Sequence, residues 1–234
     1  LINKERDFMK KIAINFLAVL FISALSFTKA FAIDWNLGVS GAIVNLQAEG
    51  SETETGSQTA ETIPGSVSNT FATGSIFAEA QFGRIAFGVD YIPMDADVSD
   101  ATHTRTDTET SVTGTPAETT TKRTQTAAAE VSDHITLYAN YYVNDAFYLH
   151  VGHASLDVST NESLDTGSKY GNVSIDGIQY GFGVQMTDNF RFEAAYTDYD
   201  DVSITSSVAR TGVTTNNKIS ADLDTTQVKL SYHF

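Results

Sequence analysis

Glu79, Asp90, Arg191, Glu193 and Lys229 each fall on the polar row of a segment in which apolar and polar residues alternate. Charges of both signs on such rows can pair, and pairing is what lets a charged group leave water. The chemistry to expect is a polar network filling an interior, or else the lining of a narrow polar path. Tyr138, Tyr142, Gln179 and Gln185 share these rows and would complete either one. His153-Ala154-Ser155 sets a base and a hydroxyl two residues apart, on one face of a strand. A serine nucleophile needs that base within hydrogen-bond reach and an acid to orient it. The nearest downstream acids, Asp157 and Glu162, give no such spacing. The pair therefore reads as polar residues at a strand end, and the chain is expected not to be an enzyme. Asp95, Asp97 and Asp100, and Asp198, Asp200 and Asp201, offer oxygens of the kind hard cations take. Their spacing matches no EF-hand loop. They read as solvated charge, and no metal and no cofactor is expected. Cysteine is absent, which removes thiol nucleophiles, disulfide frameworks and thiolate metal sites.

The elements that carry these residues are strands. Period-2 alternation runs through eight segments. Trp35, Leu37, Val39, Gly41 and Ile43 share one face of the first. Corresponding rows begin at Ala72, Ile85, Ile135, Phe147, Ile178, Phe190 and Val228. Tight turns join them in pairs at Gly83-Arg84, Asn144-Asp145 and Thr187-Asp188-Asn189. Long polar gaps lie between the pairs, at about 48–69, 95–130, 157–174 and 199–218. Short and long connections in strict alternation point to an eight-stranded antiparallel transmembrane up-and-down β-barrel, all-β in class. It would have short periplasmic turns and four long extracellular loops. The apolar face is the outer one. Aromatics (Trp35, Tyr91, Tyr141, Phe147, Phe190, Tyr196, Tyr232) mark its strand ends, as interfacial girdles do. Glycines on the inner face (Gly38, Gly88, Gly152, Gly181, Gly183) would leave room for a narrow pore. The second gap alternates Thr with charge over Thr102 to Thr110. It reads either as a solvated loop or as a ribbon prolonging the barrel, because Thr favours strands.

Composition agrees. The 234 residues carry a formal charge of −15. The first 32 hold five basic side chains against two acidic ones, which leaves about −18 on the rest. A nucleic-acid partner is excluded, since phosphates need Lys and Arg. Met9-Lys10-Lys11, the apolar run Ile12 to Phe27 and Ala30-Phe31-Ala32 make a secretory signal over 9–32. Residues 1–8 are set aside as an upstream artefact, and 33–234 form the barrel domain.

The last segment, Val228-Lys229-Leu230-Ser231-Tyr232-His233-Phe234, resembles the C-terminal signature of bacterial outer-membrane barrels. Phe77 to Gly83, Tyr180 to Gln185 and Phe190 to Asp198 resemble the small opacity-protein / outer-membrane-protein-A type porin family. The resemblance implies a monomer in the outer membrane, in contact with its lipids and lipopolysaccharide. It also implies that Val228, Leu230, Tyr232 and Phe234 are the signal read by the barrel-assembly machinery. No peptidoglycan-binding segment of the outer-membrane protein A kind is expected. The function implied is that of a structural or surface-interaction protein with a plugged lumen, or alternatively a low-conductance porin. His153 and Ser155 are in turn similar to the lipid-facing His and Ser of lipid A deacylases, but Leu156 stands where that family has Asn.

Overall fold

The computed structural model describes residues 33–55, 60–98, 103–112, 118–163, 170–207 and 216–234. The signal segment lies outside them. Among the described residues eleven strands form: β1 (Asp34–Thr55), β2 (Ala60–Phe82), β3 (Ile85–Ile92), β4 (Ala96–Asp97), β5 (His103–Val112), β6 (Glu118–Tyr142), β7 (Phe147–Ser163), β8 (Asn172–Gln185), β9 (Phe190–Tyr199), β10 (Val202–Thr205) and β11 (Lys218–His233). Eight of them make the wall, in the order β1-β2-β3-β6-β7-β8-β9-β11, and β11 pairs back to β1 to close it. Closure gives every spanning strand two hydrogen-bonded neighbours, which a membrane demands. The remaining three, β4, β5 and β10, lie in the long connections and pair only with β6, β6 and β11.

The turns form as their residues dictate. Gly83 takes a φ of 62°, open to glycine without strain. Asn144 Oδ1 accepts from the backbone N–H of Ala146 and of Phe147, and Thr187 Oγ1 accepts from those of Asn189 and Phe190. Both chain ends of the barrel lie at this turn end, where Phe234 N–H donates to Leu37 C=O.

The long gaps are corrected by the structure. Much of what reads as loop is strand: β1 continues to Thr55, β2 starts at Ala60, β7 runs to Ser163 and β11 starts at Lys218. The Thr-rich gap holds a ribbon in which His103–Val112 pairs with Glu118–Ala127. The reason is a change of solvent along each strand. From Trp35 to Ile43 the outward row is apolar, and beyond it comes Asn45, Gln47 and Glu49. The inward row changes the other way, from Asn36, Gly38 and Ser40 to Val44, Leu46 and Ala48. Inside the bilayer the outer face must be apolar, whereas above it the wall stands in water and buries its apolar side like a soluble barrel. The apolar interior of this upper part comprises Leu46, Val98, Val131, Ala154, Leu156, Val158, Ile175, Tyr199, Val202, Ile204 and Leu223.

One bulge adjusts the register. Between Ser132 and Ile135, β6 carries one residue more than β7, and Asp133 takes a φ of 51° there. The extra residue swaps the faces of β6, so Val131 and Thr136 both point inward.

Candidate functional site

The spanning half of the lumen is a packed polar layer. Arg191 from β9 donates through Nη1 to both oxygens of Glu79 on β2, at 3.0 Å each, and to Tyr142 Oη at 3.1 Å. Its guanidinium also lies 5.4 Å from the Phe77 ring centre. Glu79 further accepts from Asn36 at 3.2 Å and from Asn140 at 2.9 Å. Lys229 from β11 reaches Asp90 at 3.0 Å and Glu193 at 2.9 Å. Tyr148 Oη donates to Glu193 at 3.0 Å. The structure thus brings Glu79, Asp90, Arg191, Glu193 and Lys229 together, all of them buried. Tyr138, Tyr142 and Gln179 join the buried set, while Gln185 sits at the turn end and bonds Thr187 C=O at 2.5 Å.

His150 is a member that the sequence reading left unassigned, on the inward row beside Tyr148. Its Nδ1 lies 2.8 Å from Asn140 Oδ1 and 3.4 Å from Glu193, and its Nε2 lies 2.8 Å from Gln179 Oε1. Asn140 spends its amide N–H on Glu79, a group that only accepts when ionised. Asn140 therefore presents its oxygen to His150, which carries a proton on Nδ1. Three carboxylates, Glu79, Asp90 and Glu193, face two permanent cations here, Arg191 and Lys229, and His150 lies beside Glu193.

The room left by small inner residues is occupied. A Cβ at Gly38 would overlap the Phe77 ring, one at Gly88 the Tyr138 ring, and one at Gly183 the Tyr148 ring. The glycines let these rings fold across the lumen rather than hold a passage open. A small cavity remains between Ser40, Thr73, Ser75, Asp90, His134 and Lys229. Asp90 Oδ1, Thr73 Oγ1 and His134 Nδ1, all lining it, make no bond to another protein group. His134 Nε2 pairs with Tyr199 Oη at 2.9 Å, where the polar layer meets the apolar one above.

The outward face carries a second group. His153 is the first polar residue above Leu149 and Val151 on β7. Its Nε2 lies 3.6 Å from Asp176 Oδ1 on β8, with both side chains about half exposed. Ser155, two residues on, stands directly across the ladder from Asp176. The acid that the near sequence does not offer thus comes from the next strand. Asp157, by contrast, bonds Ser174.

The acidic residues separate. Asp198 and Asp201 approach Asp222, Asp224 and Glu49 on the outer wall. A hydrogen bond to Asp201 and its charge raise the Asp222 carboxyl, and slight burial with Asp198 and Glu49 raises that of Asp224. Asp97 is exposed, and Asp100 lies outside the described residues.

Of the residues expected to form the assembly signal, Val228 and Leu230 are outward and exposed, and Tyr232 stacks edge-on with Phe190 and Phe234, at 5.0 and 5.3 Å. An apolar belt around a closed, polar-filled ring of eight strands suits the hydrocarbon of a lipid bilayer. The chain has the fold of a bacterial outer-membrane β-barrel. The outer-membrane protein OprG of Pseudomonas aeruginosa superposes with a TM-score of 0.50 at 11% identity, over 85% of this chain and 95% of that one. The outer-membrane protease OmpT of Escherichia coli gives 0.47 at 12%, over 88% and 99%. Ail, the attachment invasion locus protein of Yersinia pestis, gives 0.35 at 12%, over 83% and 98%. No protein-family model matches the sequence, and no curated protein matches it.

Proposed function

We propose that this outer-membrane barrel is a closed anchor whose function lies in the wall and ribbons it presents above the bilayer. The observation that carries this reading is the sealing of the lumen in two layers. The ion-pair network fills the spanning half, and the apolar cluster around Leu46, Leu156 and Leu223 fills the half above it. A solute would have to break charge pairs out of water and then cross a packed apolar interior. In this reading lipopolysaccharide and lipid surround a monomer. The assembly machinery reads the outward row Val228, Leu230, Tyr232 and Phe234 as the barrel is inserted.

The test is conductance of the refolded barrel, residues 33–234, in a planar bilayer. Silence is expected from a preparation that shows the heat-modifiable gel mobility of a folded barrel. A reproducible small conductance, altered by Glu79→Gln or Lys229→Gln, would replace this reading with that of a narrow porin.

A further inference from the structure

We propose that the free edge of β5 pairs with β5 of a second copy in a facing membrane, joining the ribbons of two barrels into one four-stranded sheet, β6-β5-β5-β6. The inference rests on the reading of the barrel as an anchor for what stands above the bilayer. Two observations carry it. The first is an unpaired edge. β5 pairs along its whole length with β6 and, among the described residues, with no strand on its other side. β6 meets β7 only from Thr126 onward, so over Glu118 to Gln125 the ribbon is two strands wide. Such a ribbon is marginal alone in water and is stabilised by further strands. It has no apolar face to bury: Val112 is the one apolar residue of β5, and Glu118 to Gln125 holds none. What it offers is a row of backbone N–H and C=O groups, the surface that strand addition uses.

The second observation is the order of charge. Charged residues on an edge strand normally hold copies apart. On β5 the sign changes along the strand, from His103 and Arg105 to Asp107 and Glu109. An antiparallel two-fold centred on Thr106 sets Arg105 of each copy opposite Asp107 of the other, and His103 opposite Glu109. Thr104 then meets Thr108, and Thr106 meets itself. Centring the two-fold one residue earlier sets Arg105 against Arg105, and one residue later sets Asp107 against Asp107. Opposite charges directly across a ladder stabilise it and like charges destabilise it, so one register is selected. The other edge of the ribbon lacks this symmetry, because on β6 Glu118 alone is there to oppose Lys122 and Arg123.

Direction fixes where the second copy lies. β5 continues the outward course of β3 and β4, and β6 returns toward the bilayer. Neighbours in one membrane send their β5 strands the same way, which presents parallel edges. The antiparallel register is met by a ribbon arriving from the opposite side, carried by a barrel in the membrane of a second cell or vesicle. The partner is this same chain, engaged across the gap between two membranes.

The test is clustering of phosphatidylcholine vesicles, followed by light scattering, after the refolded barrel, residues 33–234, is inserted from outside. Wild-type vesicles are expected to cluster. Arg105→Asp is expected to abolish clustering, because its rung then holds two acids. Asp107→Arg is made together with Arg123→Asp, so that the rung these two residues share within the ribbon keeps opposite charges. This variant is also expected to leave vesicles dispersed, since Arg105 then meets a second base. Mixing vesicles of the first variant with vesicles of the second should restore clustering, because each rung again has one acid and one base. Both variants remain strongly acidic overall, so attraction between net charges does not produce that recovery. The substitutions lie above the barrel wall and should leave its heat-modifiable gel mobility unchanged. A folded wild-type protein that leaves vesicles dispersed overturns the proposal. So does clustering unchanged by Arg105→Asp, or a mixture of the two variants that stays dispersed. Dispersed vesicles around a silent barrel would remove this partner and keep the anchor, whereas clustering by a conducting barrel would keep the pairing and remove the closed lumen.

Discussion

Arg191 shows how much rests on one side chain in this lumen. A single nitrogen, Nη1, serves Glu79 twice and Tyr142 once. Removing it leaves the Glu79 carboxylate, 1% exposed, with only the amides of Asn36 and Asn140. An ionised group stripped of its counter-charge out of water costs about 3–5 kcal/mol. Arg191→Ala is therefore expected to lower unfolding stability in detergent by that order. Glu79→Gln added to it should recover part of the loss, since an amide needs no cation. Fluorescence of the single tryptophan, Trp35, during urea titration reads both. The five charged residues of this network were legible in sequence because they interrupt apolar alternation with both signs of charge. Their partners were not. Asp90 and Lys229 stand 139 positions apart on strands that are not neighbours, and only closure of the ring makes them face. Asp176 was missed for the same reason. It lies 23 positions after His153 in the chain but across one ladder in space.

At the scale of the element, the spanning halves of the strands were legible and the upper halves were not. A search for apolar residues on one parity follows β1 through Ile43 and then loses it, because the apolar row moves from odd to even positions at Val44. The same exchange occurs on β7, from Phe147, Leu149 and Val151 to Ala154, Leu156 and Val158. It occurs again on β11, from Val228 and Leu230 to Leu223 and Ala221. Each of these strands runs on through the exchange, so what ends is the lipid and not the strand. Two leucines on one strand separate the two environments. Leu156 is 4% exposed inside the upper cluster, and Leu149 is 49% exposed on the outer wall. Leu156→Ala leaves a cavity in a packed interior and should cost about 2–5 kcal/mol. Leu149→Ala opens no cavity, since lipid closes over it, and should cost much less. Equal losses in urea unfolding would mean that the upper interior is not packed as described.

For the whole molecule, the proportions of these strands set what the cell surface meets. β1 has 22 residues. At about 3.4 Å per residue and a tilt of about 40°, it climbs roughly 55 Å. Its apolar outward row, Trp35 to Ile43, accounts for only about 25 Å of that climb, the height of the usual apolar band. More than half of β1 thus stands clear of the hydrocarbon, in an upper wall with an apolar interior of its own and an outer face rich in Asp and Glu. Both ends of the barrel and all three tight turns lie at the opposite rim, so the molecule is strongly polar along its axis. A chain entering the outer membrane from the periplasm can carry short turns across least expensively by leaving them behind, which puts the ribbons outside. An epitope inserted after Thr55, at the far end of β1, should therefore bind antibody on intact cells. The same epitope inserted between Asp188 and Asn189 should bind only after the outer membrane is permeabilised. The reverse pattern would invert the barrel.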